Sequence, residues 1–185
     1  MEEKVKKYCE VVKKSSNENK ESINILFEKQ LYKNCMAILR QELELYTKTL
    51  FLITLEPSQR DVFMNDFLEN KPWRKEKING KNVTDRFILN QIQKSKINSG
   101  WEAVSYKFGC SFIHLSIFHD LEDKNILSHI SIEDKVNIVY YINQYHHGHL
   151  NIEFDFNDIK PYILDIFNKI KDNMESYLNE LSEKA

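Results

Sequence analysis

Apolar residues recur every three or four positions along most of this chain, the spacing of one face of an α-helix. Between residues 21 and 55, Tyr32, Met36, Leu39, Leu43, Tyr46, Leu50 and Ile53 fall on one stripe, while Glu42, Glu44 and Lys48 fall off it. That segment predicts one long helix. The rhythm returns in Ile159, Ile163, Ile166, Ile170, Met174, Tyr177 and Leu181, which predicts a closing helix over 158–182 with Pro161 tolerated in its first turn. Residues 101–121 carry apolar side chains on two faces, as a central, buried helix would.

Local signals set the remaining boundaries. The segment SSNENK (15–20) predicts a break after a short N-terminal helix. Ser58 is placed to cap a short helix over 59–69, with Asp61 near its exposed N–H groups. Pro72, Gly80 and the polar residues around them predict a surface loop over 70–82. Thr84 and Asp85 open a helix that reaches about residue 96, and Gly100 closes it. Ser131 and Asp134 form a capping pair for a helix to Tyr145. Residues 152–156 alternate like a strand, but the run is too short to outweigh its helical surroundings. The fold class read from this pattern is all-α: an up-and-down helical bundle of five to six helices. It is expected to form a single domain over 1–185, with 1–20 a peripheral N-terminal helix.

Composition supports that reading and narrows the function. Only four glycines and three prolines interrupt 185 residues. The net charge is −2, which gives no global electrostatic case for nucleic-acid binding, so any RNA site must be a local basic patch. The arginines are Arg40, Arg60, Arg74 and Arg86. Cysteines at 9, 35 and 110 are widely spaced, a pattern that suits reduced, buried thiols in a cytosol. The charged N-terminus has no signal-peptide core, and no apolar run is long enough to span a bilayer. A cytoplasmic protein with no membrane contact is expected.

Two clusters can carry chemistry. In YYINQYHHGHL (140–150), Asn143 and His147 are four residues apart at a helix end, and Gly148 follows as a terminator. A histidine there can exchange protons near neutral pH. His146, His147 and His149 can equally be solvated residues favoured by the helix C-terminus. They complete no zinc-ligand pattern, so no metal and no cofactor is expected. The second cluster is Lys107, Ser111 and His114, one polar stripe on the apolar 101–121 helix. It is either a site or an internal hydrogen-bond network. The stripe at 32–53 is either a core face or a dimer seam.

The stretch Ile142-Asn143-Gln144-Tyr145-His146-His147-Gly148 resembles the hallmark of the HEPN superfamily, helical-bundle domains of prokaryotic toxin and defence systems. That hallmark is an arginine, a polar residue, then a histidine four to six residues after the arginine. The match covers the polar residue, the histidine and the glycine; Ile142 stands where the arginine would be. Residues 21–182 are also similar in architecture. The resemblance implies a homodimer with two motifs facing each other and metal-independent ribonuclease chemistry in active members. His147 would be the acid/base and Asn143 would orient the substrate. Lys107, His114, His146 and Arg86 are the candidate substrate contacts, with Lys107 or Arg86 as the replacement cation. Without the arginine, the expectation is a non-catalytic or weakly active binding or regulatory module with an RNA or protein partner. The alternative is a ribonuclease using His147 and Asn143.

Overall fold

One helix, α1 (Glu2–Glu28), runs through the segment where a break was expected. Serine and asparagine weaken a helix when their side chains compete for the backbone, but here they are engaged elsewhere. Asn19 is buried and its Nδ2 donates to Glu42 Oε2 at 2.9 Å. Ser16 and Asn17 accept from Lys171 Nζ at 3.5 and 2.9 Å. The actual break follows at Lys29–Leu31. Gln30 takes φ +58°, its N–H donates to the Phe27 carbonyl, and the Leu31 N–H donates to the Leu26 carbonyl. This is a Schellman stop built on glutamine instead of glycine. The single helix predicted over 21–55 is therefore two.

The computed structural model describes residues 2–95, 105–106, 109, 127 and 130–184. The 101–121 helix, apart from Ser105, Tyr106 and Gly109, lies outside the described residues, as do Gly100, Lys107, Cys110, Ser111 and His114. The described helices are α1, α2 (Tyr32–Thr54), α3 (Pro57–Leu68), α4 (Asp85–Lys94), α5 (Ile132–Tyr145), the single turn α6 (Phe156–Ile159) and α7 (Ile163–Glu183). The only described strands are the pair β1 (Lys77–Ile78) and β2 (Lys81–Asn82). The fold class is all-α. The chain forms two compact units, one from Met1–Asn17, Glu44–Ser99 and Lys171–Ala185, the other from Glu18–Leu43 and Gly100–Ile170.

In the first unit, α2 supplies Tyr46, Leu50, Phe51, Leu52 and Ile53, all buried. Tyr8 OH shares a hydrogen bond with Thr49 Oγ1 at 3.2 Å, and its ring meets Phe67 edge-on at 5.0 Å. Arg60 of α3 is buried at 3% exposure and caps two helix ends. Its Nε and Nη2 donate to the Leu52 and Leu55 carbonyls at 3.0 Å, and Nη1 donates to the Lys184 carbonyl at 2.6 Å. The Leu52 carbonyl also receives the Leu55 N–H at 3.3 Å, while the Leu55 and Lys184 carbonyls lie beyond the last helical turn, where no further turn follows to bond them. The α3 N-cap is Glu56, with Pro57 at N1 and no side-chain cap, so Ser58 does not play the part predicted for it. Pro57 supplies the helical φ and has no N–H that needs capping.

The 70–82 loop is more ordered than its composition suggests. Trp73 is buried against Phe63 at 5.2 Å and Phe51 at 6.2 Å. A tight turn at Asn79-Gly80, φ +51° and +75°, joins β1 to β2. Asn-Gly suits a two-residue hairpin turn because both positions require positive φ. Thr84 then caps α4 as predicted, accepting from the Phe87 N–H.

In the second unit, Met36, Leu39 and Leu43 of α2 are buried, as are Ile138, Ile142, Ile159, Ile163, Phe167 and Ile170. Glu42, predicted to lie off the buried stripe, is 0% exposed. Arg40 is also buried, with its guanidinium 3.3 Å from the Tyr106 ring centroid. Six of the seven predicted stripe residues of α2 are buried within the chain, so this stripe is a core face and not a free seam. Ser131 caps α5 through the Asp134 N–H, as predicted. Residues 152–156 form no strand. Asp155 instead builds a capping box with Asp158 that opens α6.

Trp73→Ala removes the ring that pins the loop to the core. It is expected to destabilise the protein by about 3–5 kcal/mol, whereas Leu68→Ala, at an exposed position, should change stability by less than about 0.5 kcal/mol. Urea unfolding of both variants measures the difference.

Candidate functional site

The 142–150 segment is the end of α5 and the turn that follows. The helix stops at Tyr145, His146 is its C-cap, and His147 adopts φ +52°. The Ile142 carbonyl receives two N–H groups, from His146 at 2.9 Å and Gly148 at 3.3 Å. The left-handed residue is thus His147, not the predicted terminator Gly148. Gly148 is required for a different reason: a Cβ there would sit 2.6 Å from Ile142 Cγ2 and 3.1 Å from Asn143 Oδ1. The chain passes too close to α5 to carry a side chain.

Asn143 holds this turn in place. Its Nδ2 donates to the Leu150 carbonyl at 2.9 Å, and the Leu150 N–H donates to its Oδ1 at 2.8 Å. The amide copies a peptide pairing, with both ends committed to one residue. Because the helix ends at Tyr145, the face shared by positions i and i+4 does not extend to His147. His147 and His149 are exposed, and Ile142 is buried.

His146 is half-buried and borders an apolar cavity of about 60 Å³. The walls are Met36 and Leu39 of α2, Ile138, Ile142 and Tyr145 of α5, and Ile163 and Ile166 of α7. Lys169 closes one side, its Nζ 4.7 Å from the Tyr145 ring centroid, and Tyr145 stacks on Tyr141 at 6.0 Å. Burial pushes the His146 pKa below its usual value, and the Lys169 ammonium and His147 push the same way against Asp165. Pockets that take small molecules usually hold several hundred Å³, so this cavity accommodates an apolar side chain or less.

No family model, no curated protein and no solved structure matches this chain. Arg86 is exposed on α4 in the first unit, whereas Asn143, His146 and His147 belong to the second. Lys107 and His114 lie outside the described residues. Among the described residues no three His, Cys, Asp or Glu side chains gather into a metal-binding group. No described helix is long and apolar enough to cross a membrane. Sequence reasoning missed Lys169 and Leu150, which reach the turn through tertiary and loop geometry that no local pattern encodes.

Two outcomes follow from this geometry. Gly148→Ala should destabilise by about 1–3 kcal/mol through overpacking, while His149→Ala should leave stability within about 0.5 kcal/mol; thermal melts compare them. The second concerns pH. Because the folded protein holds His146 below its unfolded pKa, the unfolded state binds more protons as pH falls. The contribution of His146 is therefore complete above its usual value of 6.5 and is lost as pH drops through the lowered folded value. Stability measured between neutral and mildly acidic pH should fall less steeply in His146→Gln than in the wild type.

Proposed function

We propose that this chain is a HEPN-like helical protein that acts as a binding or regulatory module of a prokaryotic toxin or defence system, not as a ribonuclease. The observation that carries the proposal is the commitment of Asn143. Its donor and acceptor both serve the Leu150 backbone, so orienting a substrate would require dismantling the turn. Ile142 adds to this, since a buried apolar side chain cannot stabilise developing charge on a phosphate.

A docking face lies on the same helix. Ile132, Val136 and Tyr140 are spaced by four residues on α5, and all are exposed, Ile132 at 77%. An apolar ridge of this kind favours burial against a partner. A second copy of the chain, the homodimer implied by the family resemblance, is the occupant proposed here. That expectation rests on the α5 ridge, because the 32–53 stripe is occupied by the core.

The ribonuclease reading keeps one supporting observation: His147 is exposed and within reach of a substrate. Incubating the purified chain with RNA in EDTA separates the two readings. RNA should remain intact. Metal-independent cleavage that disappears in His147→Ala would overturn the proposal. Light scattering should give a dimer for the wild type and a monomer for Val136→Glu/Tyr140→Glu; a wild-type monomer across micromolar concentrations refutes the docking face.

A further inference from the structure

Residues 72–94 carry six cations, Arg74, Lys75, Lys77, Lys81, Arg86 and Lys94, against the two carboxylates Glu76 and Asp85. Six minus two leaves a local charge of +4 within a chain of net charge −2. All six cations are exposed, and none is in an ion pair among the described residues. Neighbouring Lys71, by contrast, is paired with Glu69. Unpaired cations gathered on one segment form an electrostatic footprint for a polyanion.

The segment also has a shaped groove. The hairpin and α4 border an open groove of about 370 Å³ lined by Lys81, Arg86 and Lys94 together with Asn82, Asn90 and Gln91. A second cavity of about 330 Å³ shares Asn79, Gln91 and Lys94 with it and adds Gln59 and Ser95. Among the described residues, no carboxylate lines either one. The scaffold is pre-organised, since Trp73 and Val83 are buried and the Val83 N–H donates to the Glu76 carbonyl at 3.0 Å. Ordering is therefore settled before a ligand arrives.

We infer that this groove in the first unit is a docking site for single-stranded nucleic acid. Its cations meet the phosphates, and its side-chain amides, each both donor and acceptor, meet base edges. A half-buried Phe87 ring on the wall offers a stacking surface. A bilayer surface fits less well, because peripheral binding needs an apolar face and no large exposed apolar residue occurs between 72 and 94. The inference goes beyond the proposed function: it concerns a different surface and stands whether or not His147 carries chemistry.

Fluorescence anisotropy with the full chain tests it, using labelled oligouridine and oligothymidine of about 16 nucleotides, a duplex of equal length, and phosphatidylserine vesicles. Either single strand should bind at about 50 mM salt and weaken steeply with added salt; the tighter one names the source. Lys81→Glu/Arg86→Glu/Lys94→Glu should weaken binding by about tenfold or more and lower the salt slope by about 2. Lys6→Glu/Lys20→Glu/Lys29→Glu, an equal charge change at exposed sites elsewhere, should stay within about threefold. Asn90→Ala/Gln91→Ala should weaken binding with the salt slope unchanged, since it removes no phosphate contact. The inference is overturned if no single strand binds, if only duplex or vesicles bind, if the groove variant binds like the wild type, or if both triple variants lose affinity equally. Cleavage of the RNA would sink the non-catalytic reading alone, because the DNA oligomer reports binding without it.

Discussion

The burial of α2 is the constraint from which most of this structure follows. A helix enclosed on most sides has to satisfy every polar group it carries from within the protein. Arg40, Glu42, Thr47 and Thr49 are all buried on it. Each partner seen for these groups explains a feature elsewhere. Asn19 stays helical because its amide is needed by Glu42. Tyr8 reaches Thr49, and burial of its phenol raises the pKa well above the usual value, against the opposing pull of that hydrogen bond. The C-terminal carbonyls of α2 end on the Arg60 guanidinium, which a flexible lysine could not reproduce, because a planar fork can serve several carbonyls at fixed angles.

These partners also show what was legible in the sequence and what was not. Periodicity found the buried stripes of α2 and α7, and side-chain caps were readable at Thr84 and Ser131, where the signal lies within four residues. Where a long-range contact decides, the pattern misleads. The serine and asparagine residues at 15–20 read as a break because nothing nearby announces Glu42 or Lys171. The stop at Gln30 lacks the glycine that usually marks one. Glu42 looked solvated because its stabilising partner is 23 residues away. At the candidate site, residue types were readable but their employment was not. Asn143 was visible as an amide beside histidines, whereas its engagement with Leu150 depends on a turn whose geometry is set by the missing Cβ of Gly148.

The turn after α5 illustrates how a structural role displaces a chemical one. Asn143 has one carbonyl and one amino group to offer, and both are within 3 Å of the Leu150 backbone. Freeing them would leave a part-buried peptide N–H and C=O unmatched, a loss of roughly 1–3 kcal/mol for each group. A substrate would have to supply that energy before any gain in the transition state. His147 sits at the exposed apex in a backbone conformation tolerated more readily by histidine than by branched residues. The segment is therefore organised as a helix stop first, and any binding at its surface has to use what the stop leaves free: exposed histidines and the apolar ridge of α5.

Net charge is a weak guide to partners because it averages over distances far longer than those at which charges act. At physiological salt the Debye length is about 8 Å, so a ligand at the α4 groove experiences chiefly the charges within that distance, among them the lining cations Lys81, Arg86 and Lys94. A chain of net charge −2 can then repel polyanions weakly at long range and hold them locally. The steering that speeds association would be modest, and affinity would come from contacts made inside the groove. This separates the two surfaces by physical character. The α5 ridge offers apolar area whose burial salt does not screen, whereas the groove offers cations that are in no ion pair among the described residues, on a scaffold fixed by Trp73, an attraction that salt steadily removes.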